Sequence, residues 1–128
     1  MKKILFVFCI MSFLSSCSKD AVYPTVMGKT WKVSLYTRDK KDETPKFAGY
    51  AFEFKTGGTF TANYTSSNPV NGTWKLTESS KELIIAVSGN DKLDDVSEDW
   101  EIISITDTSI KLTGDINSTN EVLEFVKN

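Results

Sequence analysis

A chain of 128 residues, 40% hydrophobic and 25% charged, has the material for one packed domain and not for two. Its 15 basic and 17 acidic residues leave a net charge of −2, which argues against a nucleic acid partner, whose phosphates need clustered positive charge. There is no histidine, so the usual general base and the commonest metal ligand are missing.

The N-terminus reads as an export signal. Lys2 and Lys3 form a positive start, Ile4 to Leu14 is an apolar run broken only by Ser12, and the small residues Ser15 and Ser16 precede Cys17. Such a run falls well short of the roughly 20 residues that a helix needs to cross a ~30 Å hydrocarbon core. The order Leu14-Ser15-Ser16-Cys17 resembles the lipobox of bacterial lipoproteins. That resemblance implies cleavage before Cys17, acyl chains such as palmitate on its sulfur, and usually another on the new α-amino group. Two or more chains hold a protein firmly on a membrane where one does not. Ser18 is not the aspartate of an inner-membrane retention signal, so the resemblance points to the outer membrane. Ser18-Lys19-Asp20 is similar to part of a surface-export signal, which leaves the periplasmic face and the cell surface both open.

On this reading residues 1–16 are a signal peptide, residues 17–27 are the lipidated cysteine and its tether, and residues 28–128 are the folded domain. Cys9 leaves with the signal and Cys17 is blocked, so the processed chain has no disulfide and relies on packing alone. It carries 13 basic and 17 acidic residues, a net charge of −4. The tether from Ser18 to Met27 spans at most about 35 Å, which keeps the domain close to its membrane.

From Thr30 onward the hydrophobic pattern has period two, with turn signals every ten or so residues, as in an antiparallel sandwich or barrel. Eight strands are predicted. Their inward sets begin with Trp31, Val33 and Leu35, then Tyr50, Phe52 and Phe54, then Phe60, Ala62 and Tyr64. Next come Trp74 with Leu76, and Leu83, Ile85 and Val87. The last three are marked by Trp100 with Ile102, Ile110 with Leu112, and Leu123 with Phe125. Turn parity tests the assignment, because a one-residue slip inverts every side chain. A three-residue loop at Thr56-Gly57-Gly58, with Gly58 left-handed, sets Phe54 opposite Phe60. A four-residue loop from Glu78 to Lys81 sets Leu76 opposite Leu83. Ile102, Ile103 and Ile105 cannot all point inward along a regular strand, so either Ile103 is exposed or a bulge near Ser104 changes the phase. Leu93, Val96 and Trp100 have helical spacing, which predicts one short helical turn near residues 91–97, capped by Asn90 or Asp91 and covering a barrel end.

Gly28-Lys29-Thr30-Trp31, Gly49 to Phe54 followed by Gly58, Gly72-Thr73-Trp74, Asp99-Trp100, Ile110-Lys111-Leu112 and the closing Glu121 to Lys127 together resemble the small lipocalin-like domains of bacterial lipoproteins. The resemblance covers about residues 27–127 and implies an all-β, eight-stranded, antiparallel up-and-down barrel. Lipocalins as a class carry small hydrophobic ligands in the barrel mouth. The family's glycine–any–tryptophan signature has an extra residue here, between Gly28 and Trp31, and the inward aromatics consume volume. Any cavity is therefore expected to be small or confined to one end.

No catalytic constellation emerges. No serine sits in a Gly-x-Ser-x-Gly setting, and no glycine-rich loop cradles phosphate. Asp91, Asp94, Asp95, Glu98 and Asp99 are close in sequence, yet their spacing matches no calcium loop. They read best as a solvated loop beside the helical turn, and no metal or cofactor is expected. Asp39 to Lys46 reads as a charged, solubilising loop at the mouth.

Three functions follow from these residues. The first is a membrane-anchored binding module that takes a small hydrophobic or amphipathic ligand, with Tyr36, Phe47, Phe52, Tyr64 and Trp100 as candidate contacts and Arg38 beside them. The second is a protein-interaction or inhibitor module of the cell envelope, with a filled barrel and a functional loop surface. An enzyme working through Asp94 or Asp95 is a remote third.

Overall fold

The computed structural model describes residues 23–65, 67–116 and 119–128, so the export signal and Cys17 lie outside the described residues. Among the described residues nine strands run in chain order: β1 (Trp31–Arg38), β2 (Lys41–Asp42), β3 (Tyr50–Lys55), β4 (Thr59–Tyr64), β5 (Val70–Thr77), β6 (Glu82–Val87), β7 (Asp99–Ile105), β8 (Ser109–Ile116) and β9 (Thr119–Lys127). Each pairs antiparallel with its neighbour, and β9 returns to pair with β1. Eight long strands thus close an up-and-down barrel, and the two-residue β2 is an extra hairpin arm on the end of β1.

The turn arithmetic holds. Phe54 lies opposite Phe60, with Gly57 and Gly58 both at positive φ in the loop between them. Leu76 lies opposite Leu83. Inward residues of all eight long strands form one core, and Trp31, Phe52, Phe60, Trp100, Ile110, Leu112, Leu123 and Phe125 are fully buried. The rings touch one another: Phe52 stacks on Phe60 at 5.6 Å and meets Phe125 edge-on at 5.5 Å.

Two bulges set the phase of the wall. In β7 the register shifts between Ile102 and Ser104, so Ile103 is the extra residue and is 59% exposed, while Ile102 and Ile105 both face inward. Both options left open by the sequence therefore hold together. In β1 the register against β9 shifts between Val33 and Leu35. The unbroken alternation expected for Trp31, Val33 and Leu35 fails at that point. Ser34 is the extra residue, its hydroxyl bonds the Glu124 carbonyl across the seam, and the inverted phase turns Tyr36 fully inward in place of Leu35.

The two barrel ends differ. One is closed by the tight hairpins at 55–59, 77–82 and 105–109, and the chain enters there. Val26 is buried at that end, and its carbonyl accepts a hydrogen bond from the Trp31 indole. The opposite end carries the long connections, including two 3₁₀ turns, Thr44–Phe47 and Leu93–Val96.

Candidate functional site

The seams of the barrel are weakest at the long-loop end. Between β1 and β3 the register is Trp31 opposite Phe52, and above that pair the strands part. The turn at Thr44–Phe47 fills the gap. Asp39 to Lys46, expected as a plain solubilising loop, folds back because its polar groups bond to β1 and to one another. The Tyr36 N–H donates to the Thr44 hydroxyl at 2.9 Å, the Glu43 N–H donates to the Tyr36 carbonyl, and Asp42 caps the Thr44 N–H. Phe47 is thereby held inside the barrel mouth, edge-on to Tyr36 at 5.4 Å and to Phe52 at 6.4 Å.

Between β6 and β7 the pairing also stops early, at Ile84 opposite Asp99. The Ser97 hydroxyl continues it by donating to the Val87 carbonyl and accepting the Val87 N–H. Above it lies the turn Leu93–Val96, where the sequence predicts a helical turn. Asn90 caps that turn through its side-chain oxygen, which accepts the Lys92 and Leu93 N–H groups. Leu93 and Val96 point into the barrel and are fully buried, and the Val96 carbonyl accepts the Trp100 indole N–H at 2.9 Å.

The two turns act as paired lids, joined by Lys46, whose ammonium sits 2.7 Å from Asp95 and 2.8 Å from Glu43. Arg38 adds a longer contact to Asp95, at 3.6 Å. Of the five acidic residues between Asp91 and Asp99, Asp95 latches the lids and Glu98 turns inward, while Asp91, Asp94 and Asp99 are exposed. Among the described residues, no group of three acidic side chains converges as a metal site would require.

Beneath the lids is a polar cluster. Glu121, an inward residue of β9 in phase with Leu123 and Phe125, is 1% exposed. Its Oε2 accepts the Tyr36 hydroxyl at 2.8 Å and lies 3.4 Å from the Arg38 guanidinium. Glu98, in phase with Trp100 and Ile102, is 9% exposed and meets the Glu121 carboxylate. Gly114 completes the wall: a side chain there would collide with the Glu98 carboxyl and crowd the Trp100 ring. Burial first, then the hydrogen bond to Glu121 and its charge, push the Glu98 carboxyl up to about 9. Burial and the bond to Glu121 likewise raise the Tyr36 phenol. Among the described residues, neither Glu98 Oε2 nor Glu121 Oε1 has an ordinary donor. A proton on Glu98 gives the pair a donor of its own, which its unpartnered oxygens otherwise lack.

Tyr36, Arg38, Phe47 and Trp100 thus surround this loop-end cluster. Phe52 lies deeper, in the ring stack of mid-barrel. Tyr64 stands apart on the outer rim, 37% exposed and packed on Tyr50 at 4.8 Å. Glu121 and Gly114 are absent from the contacts expected from sequence, although both occupy inward-phase positions of their strands.

The closed meander with its long-loop end defines the class of protein. A lipocalin-like domain family matches residues 27–112, which is well over half the chain, and the chain belongs to it. Among solved structures, a DUF4847-family protein from Bacteroides vulgatus is similar at a TM-score of 0.60 and 14% identity, covering 80% of this chain and 94% of its own. A lipocalin-like protein from Bacteroides uniformis is similar at a TM-score of 0.53 and 16% identity, covering 77% and 97%. At such identities these neighbours support the fold alone. No curated protein matches the sequence.

Proposed function

We propose that this protein is an outer-membrane lipoprotein, anchored through Cys17, whose barrel binds one small hydrophobic or amphipathic ligand at its long-loop end. The observation that carries the binding role is Phe47. It plugs the mouth with an aromatic ring borne on a loop lid and not on a barrel strand, directly above buried polar groups. A plug of that kind leaves when its lid opens, whereas Tyr36 and Trp100 are fixed by their strands. The lower barrel is filled by its own rings, so the ligand is small and occupies the mouth only.

The export signal and the resemblance of Leu14 to Cys17 to a lipobox support the anchor. The chain enters the barrel at the hairpin end, so a tether on Cys17 aims the lidded mouth away from the membrane, toward soluble ligands.

Native mass spectrometry of protein purified from cells without detergent tests the binding role. The expected result is a mass excess that disappears on denaturation. A second reading, a protein-interaction or inhibitor module, is favoured by the ring-filled lower barrel. A bare polypeptide mass, unchanged after incubation with an envelope lipid extract, would move the assignment to it. The anchor is tested separately: acyl chains on Cys17 should add to the mass of the processed protein, and Cys17→Ser should abolish them.

A further inference from the structure

We propose that the Glu98–Glu121 pair is the recognition element for a primary ammonium group, and that the mouth takes a small arylalkyl amine lying along Tyr36. This rests on the mouth being the binding site and names the class of ligand it selects.

Two buried carboxylate oxygens lack donors among the described residues. Glu121 is almost wholly buried, yet its Oε1 and the neighbouring Glu98 Oε2 are unpartnered by the rest of the described protein. An ammonium has three donors and a positive charge, so it can satisfy both oxygens and offset one of the two carboxylate charges.

The charges around the pair agree. From β1 come Tyr36 and Arg38, from the first lid Glu43 and Lys46, from the second lid Asp95, and from the start of β7 Asp99. Even with Glu98 protonated the carboxylates outnumber the cations, and Lys46 and Glu43 leave the mouth together when their lid opens, so Glu121, Asp95 and Asp99 remain against Arg38. The opened mouth is therefore a negative, partly desolvated site in which a cation is favoured over a neutral or anionic ligand.

The shape of the ligand follows from Tyr36. Its ring packs edge-on to Phe47 at 5.4 Å and its hydroxyl ends 2.8 Å from Glu121 Oε2. One tyrosine side chain thus spans the distance from the aromatic slot to the carboxylate. A phenyl ring with an ammonium two carbons away has the same reach. Its ring takes the place of the Phe47 ring, against Tyr36 and Phe52, and its ammonium takes the place of the proton that Glu98 holds. That proton passes to solvent, so binding releases about one proton near neutral pH, where Glu98 is protonated in the free protein.

Phenethylammonium is the probe, compared by isothermal titration calorimetry with phenethyl alcohol and 3-phenylpropionate, in two buffers of different ionisation enthalpy. Phenethylammonium should bind at least tenfold more tightly than either comparator, release about one proton, and gain up to about tenfold in affinity per pH unit between pH 6 and 8. Glu98→Gln preserves the shape and a hydrogen bond to Glu121, and it should weaken the ammonium at least tenfold while leaving the alcohol unchanged. Lys46→Ala, which frees the lid, should tighten the ammonium several-fold. Equal binding of alcohol and ammonium, or an unweakened Glu98→Gln, would overturn the amine assignment and leave the lidded pocket standing. If none of the compounds binds either the wild type or Lys46→Ala, the amine proposal also falls. The broader binding role then falls only with a bare mass in the native spectrum.

Discussion

The Glu98 carboxyl meets that of Glu121 inside the barrel wall, and one oxygen of each, Glu98 Oε2 and Glu121 Oε1, has no donor among the described residues. A folded domain keeps such a pair at a cost, because the unfolded chain ionises both groups freely at neutral pH.

The first consequence is a pH-dependent stability of unusual sign. A carboxyl ordinarily near 4.5 is held at about 9 in the folded state, so the folded protein binds the extra proton between those values. Stability is therefore greatest at the acid side of this window and falls as pH rises through it, by at most about 1.4 kcal/mol per unit from this group. Thermal melts between pH 6 and 9 should show a falling Tm. Glu98→Gln needs no proton, and its melt should be flatter and higher than wild type at pH 8. An identical slope in the variant would mean that Glu98 is not the titrating group.

Gly114 leaves the space that the Glu98 carboxyl occupies. Gly114→Ala drives a Cβ into that carboxyl and against Trp100, an overpacking expected to cost about 1–3 kcal/mol. Glu98→Ala in the same chain should recover part of the loss, since it vacates the space. Urea melts of the two single variants and the double variant measure the coupling.

The lid latch is partly exposed and contributes little to global stability. Asp95→Asn should change it by no more than about 1 kcal/mol. The same change should raise amide hydrogen exchange across residues 43–48 without altering β8 or β9, because it releases a local opening. Exchange that rises uniformly over the barrel would show that the lids are part of the global fold.

The β7 bulge separates three adjacent isoleucines by role. Ile103→Thr, at an exposed bulge position, should fall within about 0.5 kcal/mol of wild type. Ile102→Ala and Ile105→Ala, on the buried face, should each cost about 2–4 kcal/mol. Denaturant midpoints decide it, and equal costs at all three positions would mean that the register is wrong.

The barrel was legible in the sequence because period-two alternation and turn parity constrain each other, as at Phe54 and Phe60. Part of the site was missed although the same rule could have found it: Glu98 was grouped with a solvated acidic loop, and Glu121 and Gly114 were not singled out. Glu121 precedes Leu123 and Phe125 in the inward phase, Glu98 precedes Trp100 and Ile102, and Gly114 follows Ile110 and Leu112, so a charged or glycine residue on a buried face was the available signal. Tyr36 and Arg38 were harder to place. Their inward direction depends on the bulge at Ser34, and no residue there distinguishes a bulge from regular strand. The latch was not legible at all: Lys46 and Asp95 lie 49 residues apart and meet because two separate seams open at the same end of the barrel.

The pair itself is the most direct test. The side-chain carboxyl carbons of Glu98 and Glu121 can be followed by carbon-detected NMR as pH is raised, with Glu98→Gln for assignment. Glu98 should remain protonated at neutral pH and titrate with a midpoint at about 9. A Glu98 carboxyl that titrates in the ordinary range, near 4.5, would contradict the shared proton and the buried polar site built upon it.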